Sequence, residues 1–164
     1  MDRYLGTWAV ASREAHRESA ASYVVDVRPA FDALISVAAQ MSAALVATTT
    51  GSRDSAIAGF ILEAARGLFD EAMDMLRSIR VPPVGRHNHA HLGRAAALIG
   101  SALSLACESR SRRLNGDLDG IIARLRRGWG ELNAASKSVP GLSVLNVSEC
   151  CGAHAPIGSA VIAP

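Results

Sequence analysis

Three histidines in five residues, His87-Asn-His-Ala-His91, are the densest group of metal-ligating side chains in the sequence. Imidazole nitrogens bind zinc and other late transition ions. A helix that starts at this segment sets His87 and His91 four residues apart on one face, where two ligands of one ion must stand. A third ligand is His89, if that part of the segment stays extended, or an Asp or Glu on a neighbouring helix. No glutamate occupies the His-Glu-x-x-His position, so the segment brings no general base for metal-assisted hydrolysis. The competing reading is a polar, partly exposed turn whose histidines cap a helix or face water. The positive end of a helix dipole favours neutral imidazole, which both readings accept.

Cys150-Cys151-Gly-Ala-His154 is a second set of soft ligands. Adjacent cysteines are awkward for one tetrahedral ion, and the usual Cys-x-x-Cys spacing is absent. No nearby cation lowers the thiol pKa for redox work, so two inert thiols are the plainer reading. If the C-terminal segment folds back over the histidine turn, His87, His89, His91, Cys150, Cys151 and His154 merge into one site for a transition metal such as zinc. Cys107, within an apolar stretch, reads as a small hydrophobe.

Other chemistry is sparse. The sequence has no P-loop, no Gly-x-Gly-x-x-Gly and no Gly-x-Ser-x-Gly, and no Glu-x-x-His pairs for a carboxylate-bridged metal bundle. Glu63, Asp70, Glu71 and Asp74 read as a solvated helix face. Between Glu108 and Lys137 seven basic residues face four acidic ones. That is too dilute, with only Trp129 for stacking, to favour nucleic-acid binding. All basic residues but Lys137 are arginine, and the formal net charge is only +2. So even a balance exerts no long-range pull on nucleic acid or anionic lipid.

Helices are the elements expected to position these residues. Hydrophobic residues make up 49% of the chain but aromatic ones only 4%, so a core of Ala, Leu, Ile and Val is expected. Residues 2–20 read as a short amphipathic helix or an arm. Val24, Val27, Phe31, Leu34, Ile35, Ala38, Met41 and Leu45 follow three- and four-residue steps. Pro29 either sits in the first turn of a helix starting near Arg28, the preferred reading, with the preceding segment separate or bent, or kinks a longer helix. Thr48 to Ser52 ends that helix. Ile57, Phe60, Ile61, Ala64, Leu68, Ala72, Met75, Leu76 and Ile79 mark the face of the next, and Pro82-Pro83 closes it. Asn88 is a cap candidate for a third helix carrying Leu92, Ala96, Ile99, Leu103 and Ala106. Leu114, Leu118, Ile121, Leu125, Trp129 and Leu132 keep the same phase, so residues 88–136 form one long rod or, as Asn115-Gly116 and Asp117 favour, two helices. Small-residue stripes, Ala39/Ala43/Ala47 and Ala96/Gly100/Ser104, would let helix axes approach closely.

The expected fold is all-α: an antiparallel up-and-down bundle of about four main helices over residues 1–138. An apolar, non-helical tail over 139–164 would dock on the bundle or on a second subunit. Ala33 to Ser52 is twenty residues without a charge, but its Ser, Gln and Thr content favours a buried bundle helix over a membrane span. The N-terminus lacks a signal-peptide pattern, and three cysteines make no disulfide framework, so a cytoplasmic protein is expected. The function these features favour is a non-catalytic interaction, scaffold or regulatory protein that contacts a protein partner or itself as a homodimer. The alternative is a metal- or small-ligand-binding bundle, a sensor or an enzyme, built on the His87–His91 cluster.

Overall fold

The computed structural model describes residues 3–49, 55–111, 117–139 and 142, with side chains over 18–48, 56–109, 117–139 and 142. Four helices follow one another: α1 (Arg3–Thr49), α2 (Ser55–Ser78), α3 (Arg86–Ser111) and α4 (Leu118–Ser138). A 3-10 turn at Pro83–Gly85 joins α2 to α3, and no strand occurs among the described residues. Side-chain pairings fix the directions. Asn88 meets Ala135 and His91 meets Glu131, so the start of α3 lies beside the end of α4. Phe69, midway along α2, packs over Gly100 of α3, and Tyr23 of α1 lies against Gly85. The result is an up-and-down bundle of two antiparallel hairpins, α1/α2 and α3/α4.

The break between α3 and α4 makes residues 88–136 two helices. Asp117 caps α4, its side chain accepting from the Gly120 amide at 2.8 Å, so a donor that has no partner inside the helix is satisfied. Asn115-Gly116 itself, the Thr50-to-Ser52 turn and Pro140-Gly141 lie outside the described residues.

Pro29 does not start a helix. α1 runs through it without interruption for 47 residues, about 70 Å at 1.5 Å per residue. Tyr23 and Val27 before it, and Phe31 and Leu34 after it, lie on one buried stripe, and only a continuous helix buries all four. Each such side chain contributes about 1.5–3 kcal/mol, together more than the roughly 3 kcal/mol that an interior proline costs. Pro29 is exposed, and so is Val25, whose carbonyl loses its helical partner and can bond water instead. Among the residues of α1 whose side chains are described, from Glu18 on, the first in the core is Tyr23.

On α2 the expected face holds in part: Ala72 and Leu76 are in the core and Ile61, Leu68, Met75 and Ile79 pack against it, but Ile57, Phe60 and Ala64 face out, with Phe60 77% exposed, and Ala58, Leu62 and Ala65 are buried instead. Alanines on the inner stripe let α2 lie close against α1; Phe60 and Ile57 there would hold the axes apart. Ala39 and Ala43 are exposed too, so that small-residue stripe is not a helix–helix seam. On α3 the expected face holds: Leu92, Ala96, Ile99, Leu103 and Ala106 are all buried. Gly128 lets α3 and α4 pack closely, since a Cβ there would stand 2.8 Å from Ile99 Cγ1.

Asn88 is not a cap. It lies inside α3 as the one buried polar or charged residue among those described. Tyr23 Oη donates to Asn88 Oδ1 at 2.8 Å, and Asn88 Nδ2 donates to the Ala135 carbonyl at 2.8 Å and to Ser138 Oγ at 3.2 Å. The Ala135 carbonyl is among the last four of α4, which lack a partner within their own helix. One amide thus joins α1, α3 and α4. Val139 and Leu142, just past α4, are buried in the same core cluster; the rest of the tail lies outside the described residues.

Two segments, Glu18–Thr48 and Pro83–Ser109, are long and apolar enough to cross a membrane by length and composition, with 44% and 39% of their apolar windows buried inside the bundle. The core helix of a soluble protein passes the same test.

Replacing Asn88 with Ala should cost about 2–4 kcal/mol, because it strands the Tyr23 hydroxyl and removes the amide's bonds to α4, where the Ala135 carbonyl keeps the Ser138 hydroxyl at 2.8 Å. Tyr23→Phe strands only the amide oxygen and should cost about 1–2 kcal/mol. Urea unfolding followed by circular dichroism checks that order. Burial also pushes the Tyr23 phenol up to about 12. Phenolate absorbance should therefore show a late-titrating tyrosine that Tyr23→Phe removes.

Candidate functional site

The first two turns of α3 carry all three clustered histidines, and the helix separates them. His87 and His91 share a face: their Nε2 atoms are 3.2 Å apart and their rings meet edge-on, centroids 4.7 Å apart. His89 faces elsewhere. It is half-buried, and its Nδ1 is enclosed with no hydrogen-bond partner among the described residues. Burial lowers its pKa, because the charged ring is the form that loses most by leaving water.

The antiparallel hairpin adds two residues to the pair that sequence reasoning missed. Glu131 of α4 places Oε2 2.7 Å from His91 Nδ1, and Arg94 Nε donates to the same oxygen at 2.9 Å. Arg94 Nη2 also stands 2.8 Å from His91 Nδ1. Both contacts to Nδ1 cannot be hydrogen bonds at once, since a protonated Nδ1 donates and a bare one accepts. The short distance to a carboxylate, and an arginine already bonded to that carboxylate, assign the proton to Nδ1. His91 Nε2 then carries the lone pair, on the side of His87. The Glu131 carboxyl is held below the usual carboxylate range by the hydrogen bond from His91, with partial burial opposing and the bond and charge of Arg94 adding.

No three of His, Cys, Asp and Glu come together around a point that could hold a metal among the described residues. Cys150, Cys151 and His154 lie outside those residues. Cys107 packs partly buried against the core. Asp70, Asp74 and Glu63 are exposed, and Asp74 pairs with Arg77 at 2.9 Å. Arg124 turns back to donate to the Gly120 carbonyl at 2.9 Å, while Arg126 and Arg127 are exposed.

The second candidate lies towards the far end of α1. There α1 and α4 part to leave an open groove of about 580 Å³. From α1 it is walled by Ala38, Leu45 and Val46, and from α4 by Ile122, Leu125 and Trp129. Among the described residues, Ser42 and Arg126 are the only polar or charged ones on its walls. Val46 remains 60% exposed at the rim. Its size is within the range of ligand pockets, and its lining offers shape and apolar surface but no convergent polar groups for chemistry.

No family model, no curated protein and no solved structure matches this chain.

Two groups make stability fall on acidification. His89 takes up a proton less readily folded than unfolded, so its contribution, complete above its ordinary value of 6.5, is lost as the pH falls below it. Glu131, with its pKa also lowered, contributes above its ordinary 4.5 and loses that contribution as the pH falls further. Melting temperatures between pH 8 and pH 2 should therefore drop in two stages, one below pH 6.5 and one below pH 4.5. His89→Leu should flatten the upper stage and Glu131→Gln the lower.

Proposed function

We propose that the chain is a non-catalytic interaction module, cytoplasmic and soluble, that pairs with a second copy of itself through the groove between α1 and α4. The groove carries this reading. A packed bundle hides its apolar faces, yet here Val46 and the walls around Trp129 stay open to solvent along one side. Exposed apolar surface rimmed by a few polar groups is the mark of a protein contact site. An aromatic side chain held in such a groove is the kind of anchor that dominates association energies. Phe60 and Ile57 on the outer face of α2 add a second apolar patch of the same character. The near-even charge of the chain is compatible with pairing to a second copy of itself.

Sedimentation velocity over a range of concentrations tests this. The wild type should sediment as a dimer at micromolar concentrations. Val46→Glu, at an exposed position that leaves the core untouched, should raise the dimer dissociation constant by about 30-fold or more, the effect expected of a central contact. A wild type that stays monomeric at hundreds of micromolar would overturn self-association.

A further inference from the structure

We infer that His87 and His91 form an open two-histidine site for a late first-row divalent ion, zinc being the tetrahedral case, and that Glu131 is its positioning residue. The two side chains leave α3 one turn apart, and their Nε2 atoms stand 3.2 Å from each other. Two nitrogens on one tetrahedral zinc, each at about 2.0–2.1 Å, stand roughly 3.3 Å apart. Ring orientation points the same way. An in-line N–H···N bond of this length would put the ring centroids about 5.5 Å apart. Two imidazoles on one tetrahedral ion put them about 5.2 Å apart. The observed 4.7 Å is shorter than either, so the rings are tilted off the line joining their nitrogens, as a shared ion requires and an in-line bond does not.

Glu131 turns this spacing into a site. By accepting from His91 Nδ1–H at 2.7 Å it leaves Nε2 unprotonated, the form in which a histidine binds metal. Arg94 Nε anchors the same carboxylate at 2.9 Å, so both His91 and Glu131, with side chains only 16% and 26% exposed, are fixed before an ion arrives. His87 is exposed, which gives the ion a way in, and the remaining coordination positions fall to water or to an external donor. The dipole of α3 and the charge of Arg94 oppose a cation here, and the Glu131 carboxylate offsets them. Imidazole donors select copper, nickel or zinc over magnesium or calcium.

Calorimetric titration of the untagged full chain with ZnCl₂ at pH 7.5 tests the site. One equivalent should bind, with copper tighter than zinc, and zinc should raise the melting temperature. His87→Ala and His91→Ala should each abolish uptake, and His89→Ala should leave it unchanged. Glu131→Ala should weaken it about 10- to 100-fold. Nitrogen-15 NMR should report His91 as the Nδ1–H tautomer in the wild type but not in Glu131→Ala, a change that loss of packing alone would not produce. A Cys150→Ser, Cys151→Ser, His154→Ala chain should bind as the wild type does. No saturable binding, binding that survives His91→Ala, or binding lost with the tail ligands would each overturn the assignment.

Discussion

A buried amide must find partners for its donors and its acceptor, and the one at Asn88 finds them on two other helices. Its oxygen takes the Tyr23 hydroxyl of α1 and its nitrogen serves the end of α4. Leaving any of these groups unpaired in the core would cost more than one such bond gains, so the contact tolerates little slippage. Once Asn88 is set opposite Ala135, His91 falls opposite Glu131 one turn on, and Gly128 lies against Ala95 and Ile99 a turn further. The axial register of α3 against α4, and with it the histidine cluster, follows from that single pairing.

The same contact explains why the bundle is closed at one end and open at the other. Tyr23 draws α1 towards α3 and the end of α4, and Gly85 makes room for its ring; a Cβ there would stand 2.9 Å from Tyr23 Cε1. Along α1/α2 and α3/α4 the helices close on small residues: Ala58, Ala65 and Ala72 in one hairpin, Gly128 in the other. Among the described residues, no side-chain hydrogen bond of this kind draws α1 to α4 farther along. Ala38 and Ala39 are too short to fill the space between them, and the aliphatic and indole groups there line a groove instead of a core.

The histidines show how position on one helix turn separates roles that look alike in sequence. His89 is half enclosed and held towards its neutral form by desolvation. His91, two residues on, meets a carboxylate, and His87 stands in solvent beside it. Three identical side chains within five residues therefore meet three environments, and only two of them converge.

Helix content, the number of helices, the break before Asp117 and the pairing of His87 with His91 are legible in the sequence, because each depends on local spacing or local capping. Periodicity also marks the buried face of α3, where the apolar stripe stands alone. It misleads only at the start of α2, at Ile57, Phe60 and Ala64, where two apolar stripes compete and the one richer in alanine wins by allowing a closer approach to α1. Through Pro29 it runs on unbroken, and what misleads there is the proline rule, a local penalty that yields to burial on both sides. Glu131, Arg94 and the groove could not be read from spacing. His91 lies twenty residues before the end of α3 and Glu131 only thirteen after the start of α4, an offset set by where the Asn88 amide finds its partners. The sequence by itself determined which segments are helices and which of their residues are apolar. Tertiary packing decided which stripes are buried, which polar groups meet and where apolar surface stays uncovered, because those depend on distances between helices that no local pattern encodes.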